Sequence, residues 1–209
     1  MKLKKRTVII SVAITLLPCL IGLLLWNRLP EVMATHFGYH NEPNGWSSRT
    51  FAVFGLPAIL AAVQLLCLWA ITNDPRKNNI NGKLFTVVIW IIPVISQICC
   101  LSIYAVALHQ KVDISLLANI FTGILFLLIG NYMPKAKQNY TVGIKLPWTL
   151  NSEENWNRTH RVAGRLWMLG GLAMLANVFF RSNVILIVVL CAMGILPILY
   201  SFLLFKKGI

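Results

Sequence analysis

The residues whose types could hold a metal ion stand close together near the N-terminus: His36 and His40 are four apart, with Glu31 and Glu42 nearby. Imidazole and carboxylate are zinc ligands, and His-x-x-x-His chelates when a helix carries both rings on one face. Gly38 lies between the two rings and Pro43 follows, and both disfavour a regular helix. Loop packing or contact with an extracellular ligand is therefore the expected role, with no metal. The close carboxylate pair Glu153 and Glu154 reads as helix capping rather than acid–base machinery. Thr159 and His160, the nearest approach to a nucleophile and base, are adjacent and point apart on a helix. No Gly-rich phosphate loop, nucleophile elbow or zincin pattern occurs. Cys19, Cys67, Cys99, Cys100 and Cys191 lie in apolar runs without a metal-ligand spacing, so each is expected to act as a small apolar side chain. The expectation is a protein without catalytic residues or cofactor.

One segment does carry recognition chemistry. Residues 134–162 are basic and aromatic, with Pro134, Gly143 and Pro147 in the first half and Asn151, Glu153 and Glu154 opening the second. Asn151 followed by Glu154 has capping-box character, so the second half is expected to be a helix running without a break into the next apolar run. At 100° per residue, Arg158, Arg161 and Arg165 cluster within about 60° of one another, while Trp156, His160, Ala163 and Trp167 take the other side. Such a helix suits anionic lipids, each cation contributing about 1 kcal/mol. It also suits a cytoplasmic protein, with Trp148, Trp156 and the arginines as anchors.

The elements that position this segment must be membrane spans. Of 209 residues, 57% are apolar and 12% charged, and the mean hydropathy is +0.71. The charges sit in short segments between uncharged runs, which read as Thr7–Trp26, Phe51–Thr72, Leu84–Leu108, Ile114–Met133, Ala163–Phe180 and Val184–Phe205. Each is close to the roughly 20 residues that cross a hydrocarbon core, and no period-2 pattern argues for a barrel. The first run ends in Trp26, Asn27 and Arg28, interfacial anchors rather than a cleavage pattern, and is expected to stay as a span. The net charge of +13 does not point to direct nucleic-acid binding, because of where it lies. Of the 19 Lys and Arg, all but Arg28, Arg49, Lys111 and Arg181 fall on one side when the spans alternate, and the positive-inside rule makes that side cytoplasmic. The fold class expected is an all-α integral membrane protein of the cell membrane, with six transmembrane helices and both termini in the cytoplasm.

Pro18, Pro57, Pro93 and Pro197 fall inside spans and must each free a backbone carbonyl that lipid cannot satisfy. Neighbouring helices or waters are expected to do so, and Gln64, Gln97, Asn119 and Asn177 are candidates for a polar seam between helices. No charged residue or His occupies the middle of a span. A central charge costs about 2.5 to 3.5 kcal/mol even on insertion scales, and ion-coupled carriers accept that penalty for function. A small transporter or lipid-handling protein using neutral polar groups remains the alternative reading, with a structural partner of another membrane protein as a third.

Residues 28–50 form the long outer connection, where Pro30, Gly38, Pro43, Asn44 and Gly45 argue for a compact structured loop and the aromatics suggest contact with the membrane. Residues 1–72 thus read as a two-span unit and 73–209 as a four-span unit carrying the cytoplasmic segment.

Gly130-Asn131-Tyr132, Pro134-Lys135, Asn139, Gly143-Ile144, Pro147-Trp148-Thr149 and Asn155-Trp156-x-x-Thr159-His160 resemble the SdpI family of bacterial membrane immunity proteins. Leu29-Pro30, Thr35-His36-Phe37-Gly38 and Gly45-Trp46 look like the short N-terminal domain of uncharacterised function that often accompanies it. Lys145-Leu146 departs from a more arginine-threonine-like pair. The resemblance implies protection against a secreted peptide toxin, coupled in the best understood member to capture of a transcriptional repressor at the membrane. It implies a cytoplasmic repressor-binding surface drawn from Asn131, Pro134, Lys135, Pro147, Trp148, Trp156, Arg158, His160, Arg161 and Arg165, and extracellular ligand contact through His36, Phe37 and Trp46.

Overall fold

The computed structural model describes residues 5–38, 40–80 and 82–209; Lys2 and Lys4 of the charge count lie outside them. Among the described residues, six helices are long and apolar enough to cross a membrane. They are α1 (Lys5–Leu24), α2 (Leu56–Asn73, preceded by a π-helical turn at Phe51–Gly55), α3 (Gly82–Ala107), α4 (Ile114–Tyr132), α6 (Glu153–Phe180) and α7 (Asn183–Lys206). A short helix, α5 (Pro147–Asn151), precedes α6. The expected spans agree with these to within a few residues, except that α6 begins well before its apolar part. Two compact units form: one from Ala70–Val87 and Ala118–Ile209, the other from the described residues up to Trp69 with Val88–Leu117. They interleave along the chain.

Each proline inside a span has its freed carbonyl met by a side chain of another helix. Pro18 cannot donate to Ile14 O, and Gln97 Nε2 does so at 2.6 Å. Ser96 Oγ donates to the neighbouring Thr15 O at 2.7 Å. Pro93 leaves Ile89 O, which accepts from Gln64 Nε2 at 3.1 Å. Pro197 leaves Met193 O, which accepts from Trp167 Nε1 at 3.0 Å. Before Pro57 the backbone is π-helical, with Leu56 N–H bonded to Phe51 O. In that ladder Pro57 would serve Ala52 O, and the Tyr104 hydroxyl stands 3.4 Å from it and 3.2 Å from Pro18 O. The glutamines of the expected seam are thus backbone donors. Losing a donor to a buried carbonyl costs about 1 kcal/mol in membrane helices. Gln97→Leu and Trp167→Phe should each lower resistance to unfolding in detergent by that order, read from the unfolding midpoint. Unchanged midpoints would show that the carbonyls find other partners.

The first long connection corrects the all-α expectation, because it is a β-hairpin. Strands β1 (Val32–Phe37) and β2 (Pro43–Ser48) pair antiparallel, Val32 opposite Ser48 and Ala34 opposite Trp46. Alternation buries Met33 with Leu29, Ala52, Val53, Cys100, Ile103 and Tyr104. At the tip Asn41 adopts φ 66°, a region Asn tolerates. Its amide donates to Val112 O at 2.9 Å and accepts from Ile114 N–H at 2.8 Å, which ties the tip to the start of α4.

Helices α4 and α6 meet through glycines. A Cβ on Gly130 would lie 2.8 Å from Gly164 O, and one on Gly171 would lie 2.7 Å from Gly123 O. Both helices carry these notches at the same spacing, in opposite order along the chain, so the backbones approach closely over two turns. Beyond them Asn177 Nδ2 reaches Asn119 Oδ1 at 3.3 Å and Ser182 O at 3.1 Å.

Candidate functional site

Met133 to Ser152 forms a folded platform on the N-terminal part of α6, held by buried polar side chains. Thr149, Asn155 and Thr159 are buried with Trp156 and His160 on one face of that region, while Arg158, Arg161 and Arg165 are exposed on the other. The two expected stripes exist, and the aromatic one faces inward. Trp156 is 0% exposed; its Nε1 donates to Ala136 O at 2.7 Å and its ring stacks on His160 at 3.9 Å. His160, also 0% exposed, donates from Nδ1 to Trp156 O at 2.8 Å and accepts at Nε2 from Ile144 N–H at 2.9 Å. Those partners require the neutral imidazole with its proton on Nδ1. Above the two rings the chain passes at Gly143 with φ +130°, where a Cβ would come within 2.5 Å of His160 Nε2.

The rest of the platform is bonded just as fully. Asn139 Oδ1 accepts from Thr141 N–H at 2.9 Å and Val142 N–H at 2.6 Å, while its amide donates to Lys137 O and Val142 O. This is an Asx-type turn closed on both sides. Gln138 Nε2 donates to Thr149 O at 2.8 Å and Leu150 O at 3.0 Å, and its Oε1 accepts from Arg76. Asp74, buried in the turn after α2, accepts from Arg76 N–H at 2.7 Å, Tyr140 N–H at 2.9 Å and the Thr141 hydroxyl. Asn79 adds a bond to Gln138 O at 2.7 Å. Asp74, Arg76, Gln138 and Asn139 were missed as site residues. The legible signal was a lone acid at a helix end before Pro75, among basic residues.

Pro147 opens α5 at its first turn, where a missing N–H is harmless. Thr149 Oγ1 accepts from Leu146 N–H at 2.9 Å. The cap of α6 is Ser152, whose Oγ accepts from Asn155 N–H at 3.1 Å, and not Asn151 as expected. The chain is already helical at Asn151, and the break falls one residue later at an extended Ser152. Trp148 is half-buried: Nε1 donates to Ser201 Oγ at 2.9 Å, and the ring packs on Phe202 and Phe205. An open cleft of about 370 Å³ lies between Pro147, Trp148 and Asn151 and the end of α7 at Phe205 and Ile209. Asn155 Nδ2 donates to Ser201 O at 3.0 Å and to Ile209 O at 3.1 Å.

Of the residues named from sequence, Asn131, Pro134, Lys135, Pro147, Arg158, Arg161 and Arg165 are exposed, Trp148 is partly so, and Trp156 and His160 support them from beneath. Arg158 pairs with Glu154 at 2.5 Å along the helix, a solvated pair that contributes little to stability. In the hairpin, His36 is exposed and its Nδ1 meets Asn44 Oδ1, Phe37 packs toward the core, and Trp46 is 60% exposed. The arrangement is a hydrogen-bonded platform with a cationic rim and an apolar cleft beside Trp148.

Two segments of the chain match known families. Residues 135–201, which span the platform and most of α6 and α7, match the SdpI/YfhL protein family. Residues 13–61, which include the hairpin, match a domain of unknown function, DUF1648. The immunity protein SdpI of Bacillus subtilis (strain 168) is 28% identical over 182 residues, covering 87% of this chain and 86% of that protein. No solved structure matches. The two segments match in order and a curated relative aligns along most of its length, so the chain is similar to the SdpI/YfhL protein family over residues 135–201 and to the domain of unknown function on its N-terminal side.

Proposed function

We propose that this chain is a membrane immunity protein that protects its cell from a secreted, membrane-active peptide, and that its platform recruits a cytoplasmic transcriptional repressor. The observation that carries the first part is the alignment with an immunity protein across 87% of the chain. In this reading both termini and the platform face the cytoplasm, as the distribution of Lys and Arg favours, and the hairpin faces outward, where His36 and Trp46 are exposed to an arriving peptide. The repressor meets the exposed rim, Asn131, Pro134, Lys135, Pro147, Arg158, Arg161 and Arg165, with anionic lipids as competitors for the same cations.

The transport reading rests on the four proline-interrupted spans and their neutral polar seam. Gln64 and Gln97 of that seam are donors to proline-freed carbonyls, and moving a substrate past them would break those bonds.

Survival and membrane potential of a sensitive bacterium, challenged with a panel of secreted membrane-active peptides, test immunity. Protection against one peptide is expected only in cells expressing the chain; equal killing at confirmed expression would overturn it. Recruitment is tested separately. Arg158→Glu with Arg161→Glu should abolish peptide-induced relocation of the repressor to the membrane while protection persists. Relocation unaffected by both reversals would remove the rim from the repressor contact.

A further inference from the structure

Among the described residues, the hairpin has an exposed apolar face and, beside it, a cation with no carboxylate partner. Val32 and Ala34 lie two apart on β1, and Trp46 stands opposite Ala34 on β2, so the three side chains share one side of the ribbon. The other side is committed, because Met33 is buried in the core. Val32 and Trp46 are each 60% exposed, the end of α1 at Leu24 is 80% exposed, and Phe51 and Phe54 at the start of the next span are also exposed. The apolar face is therefore continuous along the chain with the ends of two spans.

Arg49 follows β2 directly. Its guanidinium donates to Trp26 O and Leu29 O, both at 2.9 Å, and lies 4.3 Å over the Trp26 ring. Its Nε is buried without a partner. Among the described residues no ion pair is formed by Arg49. A cation held among carbonyls and an aromatic face, without a counter-ion, attracts an anion. At the end of a membrane span the anion present at high concentration is lipid phosphate.

We infer that the Val32–Ala34–Trp46 face docks on the lipid–water interface, with Arg49 at the level of the phospholipid phosphates. Tryptophan suits that depth, where an amphipathic ring meets headgroups. The hairpin is then a membrane-lying element, and any ligand it meets is reached along the bilayer surface. This inference stands whether or not the chain confers immunity.

The test uses the full chain reconstituted in vesicles of phosphatidylcholine and phosphatidylglycerol. The emission difference between wild type and Trp46→Phe isolates the contribution of residue 46. That difference should be quenched by lipids brominated near the headgroup end of the acyl chain and shielded from aqueous iodide. Val32→Asp, at an exposed position, should reduce the lipid quenching at least several-fold while leaving the detergent unfolding midpoint unchanged. Arg49→Gln should shift the Trp46 emission to the red, and Arg49→Lys should restore part of the shift. Free access of iodide with no quenching by brominated lipid would overturn the docking. Insensitivity of the Trp46 signal to both Arg49 variants would overturn the phosphate contact.

Discussion

Replacing Gly143 by alanine will open the platform while leaving the six spans in place. At φ +130° an L-residue is strained by about 1 to 3 kcal/mol. The added methyl would also lie 2.5 Å from His160 Nε2 and 2.8 Å from the Trp156 ring. Neither ring can retreat: Trp156 is tied to Ala136 O and His160 to both Trp156 O and Ile144 N–H. Overpacking a rigid core adds about 1 to 3 kcal/mol, so the total is on the order of 3 kcal/mol. The expected result is a helical content equal to wild type with rapid chymotryptic cleavage at the exposed Tyr140, and loss of any signalling that uses the rim. Lys145→Ala, at an exposed neighbouring position, should behave as wild type. Protease resistance of Gly143→Ala equal to that of Lys145→Ala would show that the platform does not depend on this close passage.

The second large effect is expected at the crossing of α4 and α6. A side chain at Gly130 would meet backbone atoms, Gly164 O and Met168 N, both at 2.8 Å, and one at Gly171 would meet Gly123 O at 2.7 Å. Backbone in a helix cannot step aside as a flexible side chain can, so Gly130→Val or Gly171→Val must separate the helices. That forfeits the close packing on which association in lipid depends. Several kcal/mol should be lost, seen as a detergent unfolding midpoint far below wild type. Gly194 in α7 supplies the control. A Cβ there meets nothing within 4 Å, and Gly194→Ala should be neutral or stabilising by up to about 1 kcal/mol. Equal behaviour of Gly130→Val and Gly194→Ala would sink the crossing as described.

Much of this architecture was legible before any coordinates. Six apolar runs became six helices, because hydropathy and length are local properties that lipid reads directly. The requirement that Pro18, Pro57, Pro93 and Pro197 find outside donors was also visible, since it follows from the missing N–H alone. The rotation of Arg158, Arg161 and Arg165 away from Trp156 and His160 came from the helical period.

Less was legible about what these residues do. The hairpin escaped notice because its strands are short, carry Pro43 and Gly45, and are irregular beside Ala34, so turn signals outweighed strand signals. Trp156 looked like a surface anchor from its residue type, yet it lies with His160 beneath the chain that passes at Gly143. Asp74 and Gln138, which bond the turn after α2 to the platform, are more than sixty residues apart in sequence.

By itself, then, the sequence determined the solvent, the number of spans, the debt of hydrogen bonds at each proline and the asymmetry of charge. The tertiary structure decided which donor meets each freed carbonyl, which face of the α6 start is buried, and which carbonyls and ring hold Arg49. The division has one physical cause. Hydropathy, helical period and proline chemistry act between residues near one another in the chain. A hydrogen-bond partner, a covering backbone or a missing counter-ion depends on groups brought together only when the chain has folded.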